Sequence, residues 1–408
     1  MRGAAGGANL LALRSHNTAL VLDLLRTAGG AGISRLELAE RTGLTPQAVS
    51  KITARLRGEG LAAEAGRRAS TGGKPRTVLR LVPGAGHALG VHLDRDELRA
   101  VLVDLDGTVV AERRAPLDLG AGAETVLEGV ARAAEELMAE GLGHLVAEDA
   151  RVPGAALAAA PTLLGLGVAL PGPLDHVRGV LHRITGFPGW DGYPLREALE
   201  RRLGVPVVVD KDTNAAALGL AVGGAGGEAG GGAGGEAGGG AGGEAAGAGA
   251  RGGSFAYLHL GTGLGAGLVF DGGVHRGART GAGEFGHQVV QLDGPPCTCG
   301  ARGCIEALCL AAVARGDLAE AARVLGTGAA NLAGLLDIDL VLLGGRTVAA
   351  APEPFVHGVG AVLDARARRE GGHDGPVPVR LAPAGARGVA EGAAQLLLAP
   401  LFGRGEGG

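Results

Sequence analysis

Apolar positions in the first sixty residues recur at helical spacing in three short blocks, each bounded by a recognisable start or stop. Asn17 to Arg26 (NTALVLDLLR) predicts an amphipathic helix, broken by Gly29-Gly30. Ser34 with Glu37 three residues on is a capping box, and Gly43 is a natural stop, so a second helix fills the space between. Thr45 then caps a third helix with Pro46 at its first position, where the missing N–H costs nothing. Val49, Ile52 and Leu56 of this helix share one face and belong to a core. Gln47, Ser50, Lys51 and Ala54 share the opposite face, which is small, polar and basic. Two short helices joined by a Gly-containing turn make a helix-turn-helix. Leu61 to Ala65 and Thr77 to Leu81 predict two strands around the basic, Gly-rich Arg67 to Arg76, a wing.

From Gly90 the period changes and the pattern becomes α/β. Leu98 to Asp104 and Thr108 to Arg113 predict strands joined at Asp106-Gly107, a hairpin turn signal. Further strands are predicted at Leu166 to Leu170, Val207 to Asp210, Phe255 to Leu260 and Leu340 to Leu343. Helices are predicted at Thr125 to Met138 and Leu195 to Leu203. The strands run out into Pro171-Gly-Pro, Lys211-Asp212-Thr-Asn214, Gly261-Thr262-Gly263-Leu-Gly265 and Gly344-Gly345. Turns of this kind place chemistry at the carboxyl edges of strands.

One segment fits neither period. Residues 223 to 253 hold 18 glycines in 31 positions, with GGEAGGGA repeated every eight residues. Nothing larger than alanine is available to build a core there, so a disordered surface insert is expected. A Gly-rich chain of that length spans about 30 Å, so it can leave and re-enter a fold without disturbing its flanks.

Charge divides the chain differently. The first 80 residues carry 13 Lys/Arg and 5 Asp/Glu, a net of +8, so the remainder carries −12 within a total of −4. A basic module on an acidic body points to DNA as a partner of the first module, with a merely solvated basic surface as the other reading. Docking into a major groove would use Thr45, Gln47, Ser50, Lys51 and Arg55 of the third helix, and Lys74 and Arg76 of the wing. No apolar run reaches membrane-spanning length, and no signal peptide is read at the start, so a cytoplasmic protein is expected.

The four cysteines are not spread as a disulfide framework. His287, Cys297, Cys299 and Cys304 form H-x9-C-x-C-x4-C, one imidazole and three thiolates, the donor set of a closed structural zinc site. Cys309, on an apolar helix face, reads as a core thiol.

The stretch from Gly263 to His287, GLGAGLVFDGGVHRGARTGAGEFGH, followed by CTCGARGCIE from Cys297, closely resembles the ROK family of repressors and sugar kinases. The N-terminal module resembles that of the family's xylose- and N-acetylglucosamine-type repressors. The resemblance implies a winged helix-turn-helix over residues 1–82 and, over 83–408, a two-lobed α/β body of the actin/hexokinase, ribonuclease H-like kind with a sugar cleft. It implies that Lys211, Asp212, Glu284, His287 and Glu306 face a sugar, and that Gly261, Thr262, Gly263 and Gly265 match the nucleotide loop. Asp212 and Asn214 also read as a helix N-cap and its neighbour.

Three departures bear on function. The kinases' phosphate loop aligns with His92-Leu-Asp94-Arg95-Asp96-Glu97, where acids replace the flexible glycines and would repel phosphate. Lys211 stands where the family usually has a sugar-binding Asn, which raises an acidic or phosphorylated ligand as an option. Leu310 to Leu336 is shorter than the family's helical segment. The expected function is a sugar-responsive repressor with a degenerate ATP site, not an enzyme. It would act as a homodimer or tetramer on a palindromic operator, with structural Zn2+. Two alternatives stay open: an ATP-dependent sugar kinase fused to a DNA-binding domain, with Asp212 as base, and a zinc-stabilised DNA binder that needs no ligand.

Overall fold

Local signals at the N-terminus are realised as three helices. In the computed structural model, which describes residues 16–68, 76–149, 162–184, 186–223, 253–371, 375–383 and 385–404, these are α1 (His16–Ala28), α2 (Arg35–Thr42) and α3 (Pro46–Gly58). Ser34 Oγ accepts from the Glu37 N–H at 3.3 Å, and Glu37 returns the bond at 2.8 Å, which completes the capping box. Gly43 ends α2 at φ 69°, and the Thr45 hydroxyl caps α3. A three-stranded antiparallel sheet of order β1-β3-β2 lies beside them, from β1 (Ile33–Ser34), β2 (Ala62–Arg68) and β3 (Arg76–Leu81). Val49 and Leu56 are fully buried with Leu25, Leu38 and Leu79. The predicted wing contact Lys74 lies outside the described residues, as does nearly all of the Gly-rich insert.

The first lobe is a five-stranded sheet of order β10-β7-β4-β5-β6. Its strands are β4 (Gly86–Leu93), β5 (Glu97–Asp104), β6 (Val109–Pro116), β7 (Thr162–Leu170) and β10 (Val207–Lys211). A small hairpin, β8 (Leu174–Asp175) with β9 (Val180–Leu181), follows β7. Val91, Leu93, Leu102 and Val168 face α4 (Ala123–Asp149) and α5 (Leu195–Leu203). α6 (Asp212–Val222) starts directly after β10, with Lys211 at its cap and no side-chain capping bond. The helix therefore begins two residues before the Asn214 end of the predicted cap.

The second lobe is a sheet of order β13-β12-β11-β14-β15, from β11 (Phe255–Leu260), β12 (Leu264–Phe270), β13 (Gly273–Val274), β14 (Leu340–Gly344) and β15 (Val379–Leu381). One face is covered by α7 (Ile305–Ala314), α8 (Leu318–Leu336) and α10 (Pro352–Glu370), with the short α9 (Arg346–Ala350) after β14. The segment expected to be short holds the end of α7 and all of α8. Gly265, assigned to a loop by sequence, lies inside β12, paired with His259.

Helix α11 (Gly388–Leu398), with α6, lies between the two sheets. Its approach is too close for side chains. A Cβ on Gly90 would sit 2.0 Å from the Ala390 carbonyl oxygen, and one on Gly167 1.8 Å from that of Ala393. Glycine at these strand positions is therefore a packing requirement. α11 continues into the turn Ala399–Phe402, where Leu401 and Phe402 share an apolar cluster with Leu22 and Leu25 of α1. The Arg26 guanidinium lies 4.4 Å over the Phe402 ring, and Arg404 pairs with Asp23 at 2.9 Å. The helix that supports both sheets thus also contacts the N-terminal unit.

Candidate metal centre and interlobe cleft

His287 ends the 3-10 turn Phe285–His287, Cys297 and Cys299 lie in the following loop, and Cys304 is the N-cap residue of α7. Their donor atoms all fall within 4.8 Å of one another. Cys299 Sγ is 3.7 Å from Cys304 Sγ, and Cys297 Sγ is 3.7 Å from His287 Nδ1. Thiolates held about 2.3 Å from an ion at tetrahedral angles lie about 3.8 Å apart, so the four groups fit a metal as they stand. Gly300 and Gly303 turn the loop at φ 92° and 66°, and a Cβ on Gly303 would meet the Gln291 carbonyl oxygen at 1.6 Å. Cys309 is buried in the core and donates to the Ala321 carbonyl, as its apolar helix face predicts.

Beside this cluster a cleft of about 90 Å³ opens between the lobes. Lys211, Asp212, Glu284, His287 and Glu306 all line it, so the sequence-predicted ligand residues come together from the β10–α6 junction, the Phe285 turn and α7. Glu306 is fixed by the Leu264 N–H at 2.8 Å, and the Asp212 carboxylate accepts its neighbour Thr213's N–H at 2.7 Å. His287 belongs to both the cleft wall and the cysteine cluster.

Lys211 is not a free cation. Its side chain is buried, and its ammonium donates to the Ala282 carbonyl and to Glu284 Oε1, the latter at 3.1 Å. The charge that could have drawn an anionic ligand is already matched by a carboxylate of the same wall.

Several lining or supporting groups were not visible in sequence. His259 lines the cleft with Nδ1 2.9 Å from the Tyr257 hydroxyl. Burial raises the Tyr257 pKa, which keeps that hydroxyl protonated and able to donate. His92, buried at the end of β4, has its pKa lowered chiefly by desolvation and is held neutral. Arg276, just past β13, reaches Asp210 at 2.7 Å, and Asn214 donates to the same carboxylate at 2.9 Å. Arg276 and Asp210 lie 66 residues apart, so that pairing has no local signal in the sequence.

At the turn expected from sequence to match the kinases' phosphate loop, the acids are not bare. Arg346, the first residue of α9, donates to Asp96 at 2.8 and 3.0 Å and to Asp94 at 3.0 Å. Thr262 of the glycine turn donates to Asp94 at 3.1 Å. Glu97 is held by Arg99 and Arg114 of its own sheet. The hydrogen bonds from Arg346 hold the Asp96 pKa below its ordinary value, and the Arg346 pKa is raised in turn. Repulsion by unpaired acids, expected from sequence, is thus replaced by an occupied ion-pair site.

On the N-terminal unit, Thr45, Gln47, Ser50, Lys51 and Arg76 are exposed. Arg55 is exposed as well, and its guanidinium donates to Thr18 of α1 at 2.6 Å.

Comparison with known proteins places these features. The sequence model of the ROK family matches residues 88–230 and 233–314. The xylose repressor of Bacillus subtilis (strain 168) is 26% identical over 274 residues, which are 67% of this chain and 61% of that protein. The DNA-binding transcriptional dual regulator NagC of Escherichia coli (strain K12) is 28% identical over 306 residues, 75% of this chain and 65% of that protein. The match therefore spans less than two thirds of these relatives' own lengths. A ROK family transcriptional regulator, homolog of the E. coli MLC protein, has the same fold, with a TM-score of 0.68 at 20% identity, covering 95% of this chain and 97% of that one. The ROK hexokinase from Thermus thermophilus is 30% identical with a TM-score of 0.54, covering 76% of this chain and 96% of that one. Repressors and kinases both stand among the relatives, and by a family match over more than half of its 408 residues the chain belongs to the ROK family.

Proposed function

We propose that this protein is a sugar-responsive transcriptional repressor that does not phosphorylate its ligand. Residues 1–82 act as a winged helix-turn-helix, with α3 entering the major groove and the β2–β3 wing beside it. Residues 83–408 form the ligand-binding body. The observation that carries this reading is the exposed polar face of α3, Gln47, Ser50 and Lys51, mounted on a body whose cleft gathers Asp212, Glu284, His287 and Glu306. Carboxylates in such a cleft accept hydrogen bonds from neighbouring sugar hydroxyls. The helix α11 touches both sheets and leads to the turn that packs on α1, which gives lobe movement a route to the DNA-binding unit. A sugar that favours one lobe arrangement then alters DNA affinity. Operation in the cytoplasm as a homodimer or tetramer on a palindromic operator belongs to the same reading.

His287, Cys297, Cys299 and Cys304 would hold a structural Zn2+, which supplies a tetrahedral anchor for the loop. The second ring nitrogen of His287 is left for the cleft. A second reading, a metal-stabilised DNA binder without a sugar ligand, is favoured by the Lys211–Glu284 pair that fills part of the cleft.

The DNA arm is tested by Lys51→Ala combined with Arg76→Ala. Each lost phosphate contact should flatten the slope of log affinity against log salt by about one, so the double variant should lose about two. An unchanged affinity and slope would remove α3 and the wing from the interface.

A further inference from the structure

We infer that Arg346 is an interlobe latch. Its guanidinium closes the mouth of the cleft by bridging to Asp94 and Asp96 of the opposite lobe, at the turn where the kinases of the family are expected to hold phosphate.

The inference goes beyond the repressor reading and does not depend on it. Asp94 and Asp96 belong to the turn between β4 and β5 of the first lobe, whereas Arg346 and Thr262 belong to the second. Three short charge-assisted contacts and one hydroxyl bond cross the gap, at 2.8 to 3.1 Å. Asp94 and Thr262 both line the cleft, so the bridge closes over the space a ligand must enter. Thr347 Oγ1 donates to the Gly261 carbonyl at 3.3 Å, which couples α9 to the glycine turn. Glu97 cannot compete for Arg346, because Arg99 and Arg114 already hold it.

The bridge can also open. The Arg346 and Asp96 side chains are 45% and 62% exposed, so water and salt screen their attraction. By contrast two further interlobe ion pairs are anchored on buried side chains: Asp210–Arg276, with its partners 2% and 17% exposed, and Lys211–Glu284, with Lys211 4% exposed. Among the described residues, the lobes are therefore joined by two pairs with a buried partner and by the Arg346 bridge, which is more open to solvent. Separation at the Arg346 side needs the loss of this exposed bridge and of the Thr262–Asp94 hydrogen bond. A closed arrangement is reached with a protein cation in the phosphate position, without a nucleotide.

Hydrogen exchange of the full, ligand-free chain tests this. In Arg346→Ala, amides of residues 94–97 and of residues 261–264 should both exchange about three- to tenfold faster, because the contact between the two turns then rests on the Thr262–Asp94 hydrogen bond alone. Asp94→Asn with Asp96→Asn should give the same pattern from the opposite side. Wild type in high salt should move in that direction, and Arg346→Lys should fall between. Unchanged exchange at residues 261–264 in both variants would overturn the latch, even if residues 94–97 responded, since a local surface ion pair would loosen its own lobe alone.

Discussion

Arg276→Ala should lower the stability of the full chain by about 3–5 kcal/mol, the cost of stranding one partner of a buried ion pair. Asp210 is 2% exposed and would keep only the Asn214 amide and the Lys211 N–H as donors. Its charge is then under-compensated in a place water does not reach. The effect crosses the lobes, because Asp210 lies in β10 of the first sheet and Arg276 follows β13 of the second. Thermal melting is the measurement, with a fall of the midpoint by about 4–6 °C expected in a chain of this length. Asp210→Asn combined with Arg276→Met should cost less than Arg276→Ala alone, since no buried charge is left behind. An Arg276→Ala midpoint equal to wild type would show that the pair carries no load.

Removal of the metal should have the second large effect. The four donors come from the 285–287 turn, the 297–299 loop and the start of α7, where a metal would add to the short backbone bridges Val289–Cys304 and Pro296–Arg302. Freshly purified protein should contain one zinc per chain, and chelation should lower the melting midpoint by about 3–5 °C, equivalent to a few kcal/mol in a fold of this size. Cys297→Ser and Cys304→Ser should reproduce the chelated midpoint. Absence of bound metal, or a midpoint indifferent to chelation, would contradict the assignment.

The helix starts were legible because their causes are local. The Ser34–Glu37 box and the Thr45-Pro46 cap need only three or four residues to be seen, and both appear as read. The cysteine cluster was legible for the same reason. β4 was not, because all eight of its positions are buried, so it shows no alternation, and it includes His87 and His92. β12 was hidden by Gly265 and Gly267, which close packing demands: a Cβ on Gly267 would meet the Thr213 carbonyl oxygen at 2.2 Å. α11 is rich in glycine and alanine because α6 crosses it, and a Cβ on Gly392 would lie 1.9 Å from the Ala215 carbonyl oxygen.

In the cleft, sequence found the carboxylates but not what they pair with. Lys211 read as a free cation because Glu284, its partner, lies 73 residues away. The acids at 94 and 96 read as a repulsive surface because Arg346 lies about 250 residues away. Pairing across lobes carries no periodic signal, and the hint available was a lone Arg directly after Gly344-Gly345 at a strand end.

In the proposed reading, a sugar held in the cleft changes DNA affinity without being phosphorylated. The direct measurement is the affinity of the full chain for an operator selected from random DNA, taken with and without a panel of pentoses, hexoses and aminosugars, with ADP release from ATP followed in the same mixtures. The account predicts that at least one sugar shifts DNA affinity by about tenfold, about 1.4 kcal/mol of coupling. Asp212→Ala should abolish the shift, and no ADP should be released above background. ADP release at about 1–100 per second, the ordinary range for kinases, or a panel in which no sugar alters DNA affinity, would contradict it.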